Sequence, residues 1–140
     1  MKYSRILLLL EVMMWLVVLR IALFIFSFQS LCQYLRHPMR EASHCPINNV
    51  EKLHDISCTI ELASRLVPFE CKCLLKAMTA MIMLKKRLIK STLYLGVAKD
   101  HHANLYAHAW LYSGHYCLTG NHHLDSYSII YRLTQVTLDK

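Results

Sequence analysis

Six cysteines and nine histidines in 140 residues put thiol and imidazole chemistry first among the possibilities. A cysteine nucleophile acts as its thiolate, and the partial positive charge at a helix N-terminus lowers the thiol pKa. Cys73 opens an apolar helical run shortly after Pro68, where that activation operates. A neutral imidazole within hydrogen-bond reach then serves as base and returns the proton to a leaving amine. His108 is the candidate, because alternation puts Tyr106, His108 and Trp110 on one face of a strand and Ala107 and Ala109 on the other. Cys71, two residues before Cys73, is the competing thiol.

The same residue types also ligate metals. His101-His102, His115 and His122-His123, with Cys71, Cys73 and Cys117, offer the imidazoles and thiolates that a soft or borderline ion takes. No Cys-x-x-Cys pair exists, however, and the paired histidines fall between elements. They are expected to be exposed loop residues, with no metal and no cofactor. Cys32, Cys45, Cys58 and Cys117 are expected to be inert small apolar residues, or free thiols without a role.

Four regions must position this chemistry. From Ile6 to Phe28 only Glu11, Arg20 and Ser27 are not apolar, which predicts one long helix. His37-Pro38, Ser43, Pro46 and Asn48-Asn49 then mark a connector over 36–49. Val50, Leu53, Ile56, Ile60, Ala63 and Leu66 recur at helical spacing and predict a second helix ending before Pro68. A third carries Cys71 to Arg87, with Leu74, Ala77, Met78, Met81 and Leu84 on one side and Lys85-Lys86-Arg87 as a solvated last turn. Beyond it the period falls to two, predicting strands near 92–97, 105–112, 116–118 and 127–133, with Ser113-Gly114 as a hairpin turn. Helices followed by strands argue an α+β fold, with an apolar N-terminal helix and connector over 1–46 and the core over 47–140 of one domain.

Composition narrows the partners. Hydrophobic residues make up 55% and charged residues 18%, which excludes a disordered chain. The net charge of +7 suits an acidic or anionic partner, but the basic residues form no stripe interleaved with aromatics, so nucleic acid is not expected. Cysteines without a small secreted framework point to a reducing compartment. Ile6–Phe28 is long enough to cross a bilayer, and 16 of its 23 residues are Leu, Ile, Phe or Val, enough to offset Glu11 and Arg20. It reads as a membrane anchor or as a helix buried by its own domain. Glu11 within the apolar run and the missing small-residue cleavage site argue against a secretory signal.

Arg65-Leu66-Val67-Pro68-Phe69, Cys73-Leu74-Leu75-Lys76-Ala77, Leu84-Lys85-Lys86-Arg87, Leu95-Gly96-Val97-Ala98-Lys99, Ala107-His108-Ala109-Trp110-Leu111 and Leu118-Thr119-Gly120 follow one another in this order. Together they resemble the lasso-peptide biosynthesis B proteins, transglutaminase-like cysteine peptidases that remove the leader from a ribosomally made precursor. The likeness covers about 64–133, and Glu11 resembles an acidic residue of the family's first helix. It implies a transglutaminase/papain-like core with Cys73 as nucleophile and His108 as base. It also implies a third residue that accepts the imidazole Nδ1 proton, normally an Asp on a following strand. Here Asn121 and Asp125 compete for that role, position favouring Asn121. Leu88-Ile89-Lys90 stands where relatives have Gly-Ile-Pro.

The resemblance further implies a cytoplasmic leader peptidase without cofactor, whose partners are the precursor peptide, a separate small leader-recognition protein and an ATP-dependent macrolactam cyclase. The expectation from a different class is a non-enzymatic, membrane-anchored accessory protein with structural Cys and His residues, supported by Ile6–Phe28.

Overall fold

The computed structural model describes residues 2–35, 50–69, 71–87, 89–113, 116–120 and 126–134. Four helices, α1 (Lys2–Ile25), α2 (Phe28–Leu35), α3 (Val50–Leu66) and α4 (Cys73–Lys86), precede four strands, β1 (Thr92–Lys99), β2 (Leu105–Ser113), β3 (Tyr116–Thr119) and β4 (Ser128–Thr134). The expected α+β order holds.

The opening apolar run is two helices rather than one. Ser27 divides them: its hydroxyl accepts the Ser30 N–H at 3.3 Å, an N-cap that starts α2 where α1 ends. On α1, Val12, Leu16 and Leu19 lie one turn apart, are almost fully buried and belong to the same core as residues of α3 and α4. The opposite side exposes Leu7, Leu10, Met14, Ile21 and Phe24. By length and composition Arg5–Ile25 is apolar enough to cross a membrane. In the fold it lies against α3 and α4 along one face.

Helix α3 buries Leu53, Ile56, Ile60 and Ala63 as their spacing predicts, but Leu66 is exposed and Val67 is buried in its stead. The helix closes on Val67 N–H to Ala63 C=O at 3.2 Å, just before Pro68.

Helix α4 is more enclosed than its sequence suggests. Instead of one apolar side, every residue from Ala77 to Leu84 is buried, because α1, α3 and the sheet all pack on it. Thr79 is tolerated because its hydroxyl donates to Leu75 C=O at 2.8 Å. The Arg87 and Ile89 N–H groups both bond to Leu84 C=O, so backbone bonds end the helix.

The basic last turn is not a solvated run. Arg87 donates through both terminal nitrogens to the Glu11 carboxylate of α1, at 2.8 and 3.2 Å, and to Met83 C=O. Lys86 lies 3.6 Å from the same carboxylate and 5.4 Å from the Trp15 ring centroid. Glu11, a liability in a bilayer, is here the link between the first helix and α4.

The sheet is antiparallel in the order β3-β2-β1-β4. Ser113 pairs with Tyr116 across the expected hairpin, whose two connecting residues lie outside the described ones. Asp100 builds the β1–β2 turn by accepting the His102 and Asn104 N–H groups and the Tyr106 hydroxyl. His101 and His102 are exposed there, as a loop reading requires.

The hydrogen bonds from Arg87 hold the Glu11 carboxyl below its ordinary range despite partial burial. A depressed folded-state value means stabilisation that is complete at neutral pH and is lost as pH falls from about 4.3 through the lower value in the fold. Glu11→Gln is therefore expected to lower stability at pH 7 by about 1–2 kcal/mol. Denaturant unfolding at several pH values should show the difference from wild type shrinking toward pH 3.

Candidate functional site

Cys73 is the first residue of α4. The preceding Lys72 is extended, with φ −72° and ψ 161°, and places no side-chain cap on the first turn. Cys71, expected within this helix, lies before it, and burial pushes its thiol up despite Lys76 and Arg20 nearby.

His108 is held from three sides. Its ring stacks on Trp110 at 5.7 Å between centroids and meets Tyr127 at 5.0 Å. Its Nε2 lies 2.7 Å from Gly120 C=O. A carbonyl oxygen only accepts, so Nε2 carries the proton and Nδ1 is the basic nitrogen of the neutral ring. In the expected arrangement an acceptor took the Nδ1 proton instead. The orienting acceptor among the described residues is a backbone carbonyl. Asn121 and Asp125, the two side chains expected in that role, lie outside the described residues, as do His122 and His123.

Two glycines create the room for this ring. Gly96 faces His108 across β1 and β2, and a Cβ there would come within 2.8 Å of Trp110 and 2.9 Å of Tyr127. Gly120, at φ +75°, would bring a Cβ to 3.0 Å from His108 Nε2 and 2.5 Å from Ala109 C=O. Both stand in the segments that carried the resemblance, yet their role could not be read there, because it depends on which rings meet across the sheet. Tyr127 was missed for the same reason.

The Ser113 hydroxyl donates to Lys90 C=O at 2.7 Å and ties the far end of β2 to the chain leaving α4. The strand's two faces divide: Ala109 and Leu111 join the helix-packed core, against which Cys73 also packs, while His108 and Trp110 share the aromatic face with Tyr94 and Tyr127. Among the described residues no hydrogen bond joins Cys73 to His108.

The described cysteines 58, 71, 73 and 117 are free thiols. No group of three or more metal-ligating side chains occurs among the described residues. Of the two readings given to Cys58, the free thiol holds: it is exposed and lies 3.5 Å from His54 Nε2.

A helix that starts with a cysteine packs on an antiparallel sheet that carries a histidine, in an α+β fold. The sequence model of the transglutaminase-like superfamily matches residues 13–132, and the chain belongs to that superfamily. No curated protein and no solved structure matches it significantly. The match includes most of α1, so the apolar helix is part of the family's domain.

Gly120→Ala tests the carbonyl's hold on the imidazole. Positive φ alone should cost about 1–2 kcal/mol, measurable by thermal unfolding. In ¹⁵N spectra, His108 should move from the Nε2–H tautomer of the wild type to a mixture of tautomers.

Proposed function

We propose that this chain is a cysteine peptidase that removes the leader from a ribosomally made precursor peptide, in the manner of the lasso-peptide B proteins it resembles. The observation that carries the reading is His108: a histidine locked between two aromatic rings, with Nε2–H committed to a carbonyl, is an imidazole prepared to act through Nδ1. Cys73 supplies the nucleophile. Its Sγ attacks the carbonyl carbon at the leader/core junction while Nδ1 takes the thiol proton. The imidazolium gives that proton to the departing core amine, leaving the leader as a thioester on Cys73. Water, deprotonated by the same nitrogen, then hydrolyses the thioester and frees the thiol. The Cys73 N–H at the helix start is the natural donor to the oxyanion. Sγ and Nδ1 must come within hydrogen-bond reach in the substrate complex.

The partners follow from the same reading. A small separate protein recognises the leader, and an ATP-dependent macrolactam cyclase consumes the freed core. The chain works in the cytoplasm. The exposed face of α1 favours a second reading, a membrane-associated accessory protein in which Cys73 and His108 are structural.

Precursor, partner and purified chain are incubated together and followed by mass spectrometry. Cys73→Ala is expected to abolish leader removal, and His108→Ala to slow it by a factor on the order of 10² to 10⁴. Undiminished cleavage in both variants would exclude this mechanism and leave the accessory reading. Persistence of the protein in carbonate-washed membranes would support that second reading.

A further inference from the structure

A second thiol and imidazole meet outside the site just described. On α3, His54 and Cys58 are four residues apart, one helical turn, and Cys58 Sγ lies 3.5 Å from His54 Nε2. The other ring nitrogen, Nδ1, lies 3.1 Å from the Tyr116 hydroxyl of β3. Burial pushes the Tyr116 phenol up, with Cys58 and Cys117 adding to the shift, so its oxygen stays protonated and available as a neutral acceptor. In the tautomer whose Nδ1–H donates to that oxygen, Nε2 is the ring nitrogen left for the thiol, whose Sγ lies 3.5 Å from Nε2 and 4.0 Å from Nδ1. A nucleophile, a base and a group that orients the base are thus in hydrogen-bonded sequence. Cys58 is exposed.

The chain opens into a cavity of about 480 Å³ between α1 and α3. Ile6, Leu8, Leu9 and Leu62 line it, while Arg5 and Asp55 are the charged residues among its walls. Ile6 and Leu62 are more than half exposed, so the apolar lining runs out onto the uncovered face of α1. An apolar trough that begins at a base-paired thiol fits a flexible hydrocarbon chain attached to an electrophilic carbonyl.

We propose that Cys58 is an acyl-acceptor site that takes a long-chain acyl group from an acyl thioester, the chain lying between α1 and α3. As Sγ bonds to the thioester carbonyl carbon, its proton passes to His54 Nε2. The bond from that carbon to the donor sulfur breaks, and the imidazolium protonates the departing thiolate. One thioester is exchanged for another, with no oxidant or cofactor. The acyl chain beside the exposed face of α1 gives the two membrane-binding signals that stable anchoring takes. The proposal stands apart from the peptidase reading, since it uses neither Cys73 nor His108.

The full-length chain is incubated with palmitoyl-CoA or acetyl-CoA, and the hydroxylamine-labile product is mapped by mass spectrometry. Palmitoylation is expected at Cys58, absent in Cys58→Ser and retained in Cys73→Ser. His54→Gln, at an exposed position, is expected to slow it by a factor on the order of 100. Leu62→Ala should slow palmitoyl transfer more than acetyl transfer. Equal labelling of Cys58, Cys71, Cys73 and Cys117, no effect of His54→Gln, no preference for palmitoyl over acetyl, or no labelling at all would each overturn the proposal. Cleavage of the precursor by Cys58→Ser, measured alongside, reports on the peptidase separately.

Discussion

From Ala77 to Leu84 no side chain of α4 reaches solvent, and the architecture is arranged around that burial. A helix apolar on all sides must be covered on all sides. Three layers do it: α1 and α3 on the helical side and the β1–β3 strands on the other. Alanines let neighbours approach closely, and Met78, Met81 and Met83 fill the irregular space between layers of different geometry. A helix enclosed in this way can present only its ends for chemistry. One end carries Cys73 and the other the cations that clasp Glu11.

The clasp explains why an acidic residue sits inside the most apolar stretch of the chain. Two charges that would be costly in isolation satisfy each other where α1 crosses the end of α4. The forked guanidinium of Arg87 meets both carboxylate oxygens, which fixes orientation as well as proximity. The buried stripe of Val12, Leu16 and Leu19 continues the docking by close packing. The other face of α1 remains apolar and uncovered, so one helix serves both as core support and as an exposed hydrophobic surface.

On the sheet, the controlling constraint is space rather than charge. His108, Trp110, Tyr94 and Tyr127 crowd one face, and two positions opposite them tolerate no side chain. Gly96 admits the rings, and Gly120 adopts a left-handed backbone from which its carbonyl meets the imidazole. The tautomer of His108 is thereby set by main chain, whose position follows from strand pairing. A side-chain acceptor can be exchanged by mutation, whereas this one moves only if the β2–β3 pairing moves.

Periodicity alone determined much of the molecule. The helical repeat of Leu53, Ile56, Ile60 and Ala63, the stop before Pro68, the helix that ends on Lys85 and Lys86 and the four alternating segments all follow from local patterns that one element must satisfy by itself. The ordered segments from Arg65 to Gly120 also carried the superfamily. Ser27 as a cap was legible in principle, but a single polar residue in a long apolar run is easily read through. What tertiary structure decided was every feature that needs two distant segments to meet. Lys86 and Arg87 look like a solvated helix end until α1 brings Glu11 to them. Gly96 and Gly120 look like ordinary turn or strand glycines until Trp110, Tyr127 and His108 fill the space a Cβ would occupy. Cys58 looks like an inert thiol until its helix faces Tyr116, 58 positions further along the chain. Spacing along a chain encodes which face a residue takes, but the partner on that face is fixed only when the layers pack.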